Sequence, residues 1–195
     1  VPSLALFLAV LLAEREGLWA ILLAYLLLTL LFFVALRLRI DRHTLVELIS
    51  IGAMALSGPT ARFVSRGDWD AAGWGVLTVS FTYFAHSIWV VRMWMAARES
   101  RAARLSFREK WSLGLPVFYV TVEMAVLLVL LSTLIAIPPV AWLALSVAPL
   151  RWLAQMSLLS GSTKLKTVGQ YELIAASIFV VLAGVAYLEA GSATQ

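Results

Sequence analysis

Six ionisable side chains stand within or at the ends of long apolar runs: Glu47, His86, Arg92, Glu123, Arg151 and Glu172. At a helix centre in hydrocarbon each costs roughly 2.5–3.5 kcal/mol unless it is paired or hydrated, so such groups seek one another or a wet cavity. With a helical rise of 1.5 Å per residue, Glu123 lies about 16 Å into its run, and His86 and Arg151 each about 9 Å from the nearer end of theirs. Glu47 and Glu172 lie about one turn inside. Acids and bases therefore meet at similar depth. Three kinds of chemistry fit: ion-paired joints between helices, a proton path, or a polar head-group site for a quinone, a lipid or another amphiphile. Spacing adds that Gly75, Thr78, Thr82 and His86 form one polar stripe, and that Tyr119 and Glu123 share a face. Such stripes turn toward other helices.

Other chemistries lack their residues. Without cysteine there is no thiolate nucleophile, disulfide framework or iron–sulfur ligand set. Of the two histidines, His43 falls at the end of its run and His86 well inside, so a bis-histidine haem would lack two ligands at one depth. No His-Glu-x-x-His helix suggests zinc, and no glycine-rich phosphate loop suggests nucleotide-driven transport. Asp41, Asp68 and Asp70, the three aspartates, all fall in loops, which leaves no acidic magnesium cluster of the intramembrane prenyltransferase kind. No catalytic residue, metal or cofactor is expected, although a quinone or a haem on one histidine stays open.

The elements that position these residues follow from composition. The 195 residues are 62% hydrophobic and 13% charged, against about 45–50% apolar in soluble domains. The expected fold is an all-α, polytopic transmembrane bundle forming one domain. Full spans are expected at Gly17–Leu36, Thr44–Val64, Ala71–Val91, Ser112–Ile137, Pro138–Leu159 and Gly169–Leu188, each near the roughly 20 residues a bilayer requires. Val1–Ala13 is too short to span and is expected to be the end of a seventh span, so the sequence should lack part of its N-terminal region.

Charge sets the orientation. Twelve of the fifteen Lys and Arg residues fall in the Arg37–Arg42, Arg92–Lys110 and Arg151–Lys166 regions, so loops 37–43, 92–111 and 158–168 should face the cytoplasm by the positive-inside rule, with the C-terminus outside. Charges so placed between apolar runs point to the inner leaflet rather than to nucleic acid. Trp19, Trp69, Trp74, Trp94, Trp111 and Trp142 should anchor at interfaces, with Trp89 and Trp152 deeper. Pro149 should free the Leu145 carbonyl and kink its helix, either as a packing device or to open a cavity beside Arg151.

The succession Arg39-Ile-Asp-Arg-His-Thr-Leu-Val-Glu-Leu-Ile-Ser50, then Val90-Val-Arg-Met-Trp-Met-Ala-Ala-Arg98, then Lys166-Thr-Val-Gly-Gln-Tyr-Glu-Leu173, resembles the YwiC-like family of bacterial membrane proteins. In family terms Arg42 and Glu47 open a span, Arg92 and Arg98 close another, and Gly169 with Glu172 opens the last. Glu16-Gly-Leu-Trp-Ala20 echoes the family's opening His-Gly-x-Trp-Ala without its histidine. The resemblance implies a polytopic protein of the bacterial plasma membrane and no particular reaction.

Two functions are compatible with these features. An accessory or structural subunit of a larger respiratory, photosynthetic or transport complex would use Ala53–Ser57 and Ala175–Gly184 as small-residue contact faces for lipids and other integral subunits. A small transporter or amphiphile-binding protein would instead use Glu123, His86 and Arg151 as a buried polar centre. An enzyme is the least supported class.

Overall fold

The computed structural model describes residues 18–39, 44–67, 70–100, 102, 104–135 and 137–192. The expected partial span at Val1–Ala13, together with Glu16, Asp41, Arg42, His43, Asp68, Trp69 and Arg101, lies outside them. The described residues form helices α1 (Leu18–Arg37), α2 (Thr44–Ala55), α3 (Ser57–Arg66), α4 (Ala71–Glu99), α5 (Phe107–Leu131), α6 (Pro139–Leu158) and α7 (Leu165–Ser192). No strand occurs among them.

Four stretches are long and apolar enough to cross a membrane: Thr44–Val64, Ala71–Glu99, Phe107–Leu131 and Leu165–Tyr187. A shorter apolar helix covers Ile21–Arg37. The chain is thus an all-α, multi-pass membrane protein. Of the six full spans expected, four have this length and apolarity. α6 has 20 residues, but Arg151 and Gln155 reduce its apolar character.

Local signals explain the helix ends. Pro59 has no N–H to offer the Ala55 carbonyl, and α2 stops at Ala55 before α3 resumes at Ser57. The left-handed Gly67 (φ 90°) closes α3 with its N–H on the Phe63 carbonyl. Asp70 opens α4: its Oδ1 accepts from the Gly73 N–H at 2.7 Å. Ser106 and Glu109 form a reciprocal capping box at the start of α5. That helix ends at Leu131 rather than at the expected Ile137. Beyond it the hydroxyls of Ser132 and Thr133 fold back on the carbonyls of Val129 and Leu130 at 2.6 and 2.8 Å. Pro138 and Pro139 start α6, where a missing N–H costs nothing.

The chain divides into two compact units, with the boundary between Leu77 and Thr78 inside α4. In the first unit α1 packs along α2, and Ile21 and Phe63 are buried together beside Tyr25 and Val64. Arg62 holds Asp70 through Nε at 2.9 Å and Nη2 at 2.5 Å. In the second unit α6 packs most extensively along α7 and also along α5. Its buried positions Ala141, Ala144, Leu145, Ala148, Arg151, Trp152, Gln155 and Met156 recur at three- and four-residue intervals. Gly114 lets α5 approach closely: a Cβ there would come within 2.8 Å of Met156 Sδ. Val90, Met93, Trp94 and Ala97 of α4 join Val117, Trp152 and Met156 in one apolar cluster.

Candidate functional site

The polar positions of the α6 stripe define the site. Arg151 and Gln155 are one turn apart on a face whose other members are apolar, so helical periodicity carries both into the interior. There they are 6% and 3% exposed. A buried guanidinium must find acceptors, because it has five N–H donors and no deprotonated form within reach. Two neighbouring helices supply them. Arg151 Nη1 donates to Glu172 Oε2 of α7 at 2.9 Å, to Ser87 Oγ of α4 at 2.9 Å and to Tyr83 Oη at 3.2 Å. Its Nη2 donates to His86 Nδ1 at 2.9 Å. The guanidinium carbon also lies 5.0 Å from the Tyr83 ring centroid, a cation–π distance. Tyr83 in turn stacks on Phe179 of α7 with centroids 3.9 Å apart.

These contacts fix the histidine tautomer. Arg151 can only donate, so His86 Nδ1 accepts and the ring proton resides on Nε2. Nε2 donates to Thr121 Oγ1 of α5 at 2.9 Å, and that hydroxyl donates to the Val117 carbonyl at 2.7 Å. His86 is therefore a neutral bridge from α6 through α4 to α5. On the other side Gln155 Nε2 donates to Glu172 Oε1 at 2.7 Å, while Gln155 Oε1 accepts from Trp94 Nε1 at 2.6 Å. The pair Arg151⁺/Glu172⁻ balances the charge of the cluster, and Arg151 and Gln155 both donate to the Glu172 carboxylate. Arg151 Nε has no partner among the described residues.

Of the six expected site residues, His86, Arg151 and Glu172 come together. Glu123 does not: it is exposed on α5, and the α5 partner of His86 is Thr121. Periodicity explains the correction. The inward face of α5 carries Gly114, Val117, Thr121 and Leu128, and two residues of helix turn Glu123 about 200° away from Thr121. Tyr119, its companion on the expected stripe, is exposed as well. Arg92 lies with its guanidinium 5.5 Å from the Trp89 ring centroid, and Glu47 occupies the first turn of α2 in the other unit. Trp94, expected at an interface, is fully buried.

Tyr83, Ser87, Trp94, Thr121 and Gln155 were not among the expected site residues. A signal existed for three of them: Tyr83, Ser87 and Trp94 fall at i, i+4 and i+11 on one helical face. Two cavities flank the cluster. One, of about 190 Å³, is bounded by His86, Thr121, Met124, Trp142, Leu145 and Pro149. The other, of about 360 Å³, lies between α6 and α7 beside Arg151, Gln155 and Tyr171. Both are walled mainly by apolar side chains. Among the described residues no three His, Cys, Asp or Glu side chains converge to hold a metal. The chain matches no protein-family model, no curated protein and no solved structure.

Proposed function

We propose that the chain is an accessory or structural integral subunit of a larger complex in the bacterial plasma membrane. The observation that carries this reading is that the charged cluster is paired within the chain, Arg151 with Glu172, across neighbouring helices. Both Glu172 oxygens are occupied by Arg151 and Gln155, and Arg151 reaches acceptors on two neighbouring helices. The branch through His86 and Thr121 ends on a backbone carbonyl, which has no proton to pass on. A cluster so arranged locks α4 to α7 together rather than presenting groups to a substrate. Outward, the same helices offer apolar faces such as Val122, Val126 and Leu130 of α5 and Ile174, Ile178 and Val181 of α7. Gly184 has open space where a side chain would project, which suits close approach by another helix. Counting α1 and α6 as spans gives six crossings, with loops 37–43, 92–111 and 158–168 in the cytoplasm and the C-terminus outside.

Extraction of the chain with its surrounding membrane in a polymer-bounded disc, followed by mass analysis, tests the subunit role. A particle of constant composition containing redox or transport polypeptides is expected. Recovery of the chain alone, as a monomer or homodimer, would overturn it. Because the chain has no cysteine, single cysteines report topology directly. Ser100→Cys and Ser162→Cys should resist a membrane-impermeant maleimide in intact cells while Thr194→Cys reacts, and the reverse pattern rejects the orientation.

The 190 Å³ cavity beside His86 favours a second reading, an amphiphile-binding protein or small transporter. Stoichiometric retention of an amphiphile by the isolated chain, lost in Ala125→Phe, would select it over the subunit role.

A further inference from the structure

We propose that the end of the second unit where α5 begins and α6 finishes holds the head group of an anionic phospholipid. A recess of about 400 Å³ opens there, lined by Leu105, Phe107, Lys110, Leu153, Met156 and Ser157, a volume within the range of roughly 300–1,000 Å³ common for small-molecule sites. Its chemistry is divided. The rim carries the Lys110 ammonium, which donates one N–H to the Ser157 carbonyl at 2.6 Å. An ammonium has three N–H groups, so two remain for a phosphate oxygen. Leu153 and Met156 of α6 belong to the apolar lining of the recess. Arg104 and Arg108 stand exposed on the same short stretch, and neither makes a hydrogen bond or ion pair among the described residues. The one carboxylate within that stretch, Glu109, is turned back onto the Ser106 N–H and hydroxyl, both at 2.7 Å. The stretch therefore carries three cations and one capped carboxylate, and of the cations Lys110 lines the recess.

Aromatic placement marks this end as a membrane interface. Phe107 is 76% exposed and Trp111, one turn on, is 41% exposed, with ring centroids 6.4 Å apart. Exposed rings at a helix end, next to cations, suit the head-group layer. From the recess, the exposed side chains of Leu153 and Leu150 continue along α6 one turn apart, which gives an acyl chain an apolar path. A lipid satisfies both halves of the recess, whereas a soluble phosphate satisfies only the rim. Basic pockets between transmembrane helices select anionic head groups in this manner. The proposal requires a membrane-embedded chain and is independent of any subunit role.

The test uses the full chain, purified in a neutral detergent, with tryptophan quenching by brominated phosphatidylglycerol or brominated phosphatidylcholine as the readout and Trp111→Phe to assign the signal. Saturable quenching by the anionic lipid is expected, weakening with salt and largely lost in Trp111→Phe. Each charge removed should weaken it about fivefold, or about 25-fold for Arg108→Gln with Lys110→Gln. Lys164→Gln with Lys166→Gln removes two charges elsewhere and should have little effect. If the first pair fails to fold, Arg104→Gln with Arg108→Gln, both exposed, should give a loss of the same order. Equal quenching by the two lipids, equal loss in the two charge-removal pairs, or displacement of the lipid by glycerol phosphate at millimolar concentration would each overturn the proposal.

Discussion

Replacing Glu172 by glutamine leaves the backbone and side-chain volume of the cluster unchanged while removing its only negative charge. At the 2.9 Å separation of Arg151 Nη1 and Glu172 Oε2, the attraction is about 6 kcal/mol for an effective dielectric constant of about 20. Desolvation offsets much of this in the native protein, but removing one partner leaves the other charge buried and uncompensated, which costs about 3–5 kcal/mol. The Glu172 side chain is 18% exposed and that of Arg151 3%, so the orphaned arginine is the member that water cannot rescue. Hydrogen bonding adds to the loss. Position 172 must accept from both Arg151 and Gln155, and a glutamine has one acceptor oxygen. If Gln155 flips to compensate, its amide nitrogen meets the Trp94 N–H that its oxygen now accepts.

The expected result is a destabilisation of about 3–5 kcal/mol, measured by reversible sodium dodecyl sulfate titration in mixed micelles, with a drop in melting temperature of about 6–20 °C at roughly 2–4 °C per kcal/mol. Arg151→Met combined with Glu172→Gln removes both charges and should be more stable than Glu172→Gln alone. If Glu172→Gln is within about 0.5 kcal/mol of the parent, or the double variant is the less stable of the two, the cluster is not an ion-paired joint.

Other outcomes follow from neighbouring contacts and use the same titration. A Cβ on Gly161 would meet the Ala102 and Ala97 carbonyl oxygens at 2.7 and 2.9 Å, so Gly161→Ala should cost about 1–3 kcal/mol through forced backbone movement. Gly114→Ala meets mainly the flexible Met156 side chain and should cost less. Trp94→Phe leaves Gln155 Oε1 buried without its donor, with an expected loss of about 1–3 kcal/mol. Ser106→Ala breaks the capping box of α5 and should cost about 1 kcal/mol; an unchanged stability would mean that the cap is unimportant to that helix.

Composition and run length were enough to place this chain in a membrane, because a bilayer demands long uninterrupted apolar helices and few sequences meet that demand by accident. Thr44–Val64 emerged with its break just ahead of Pro59 as the missing N–H requires, and Arg151, Glu172 and His86 stood out because charge at such depth needs company. What one dimension withheld was azimuth. Glu123 and Thr121 are two residues apart at nearly the same depth, yet Thr121 meets His86 and Glu123 faces outward. The difference is a rotation of about 200° decided by which side of α5 packs against its neighbours. Gln155 and Trp94 were hidden for a related reason: a neutral amide and an indole fit many settings, and only the convergence of α4, α6 and α7 makes Gln155 a partner of the Glu172 carboxylate and Trp94 the donor to Gln155.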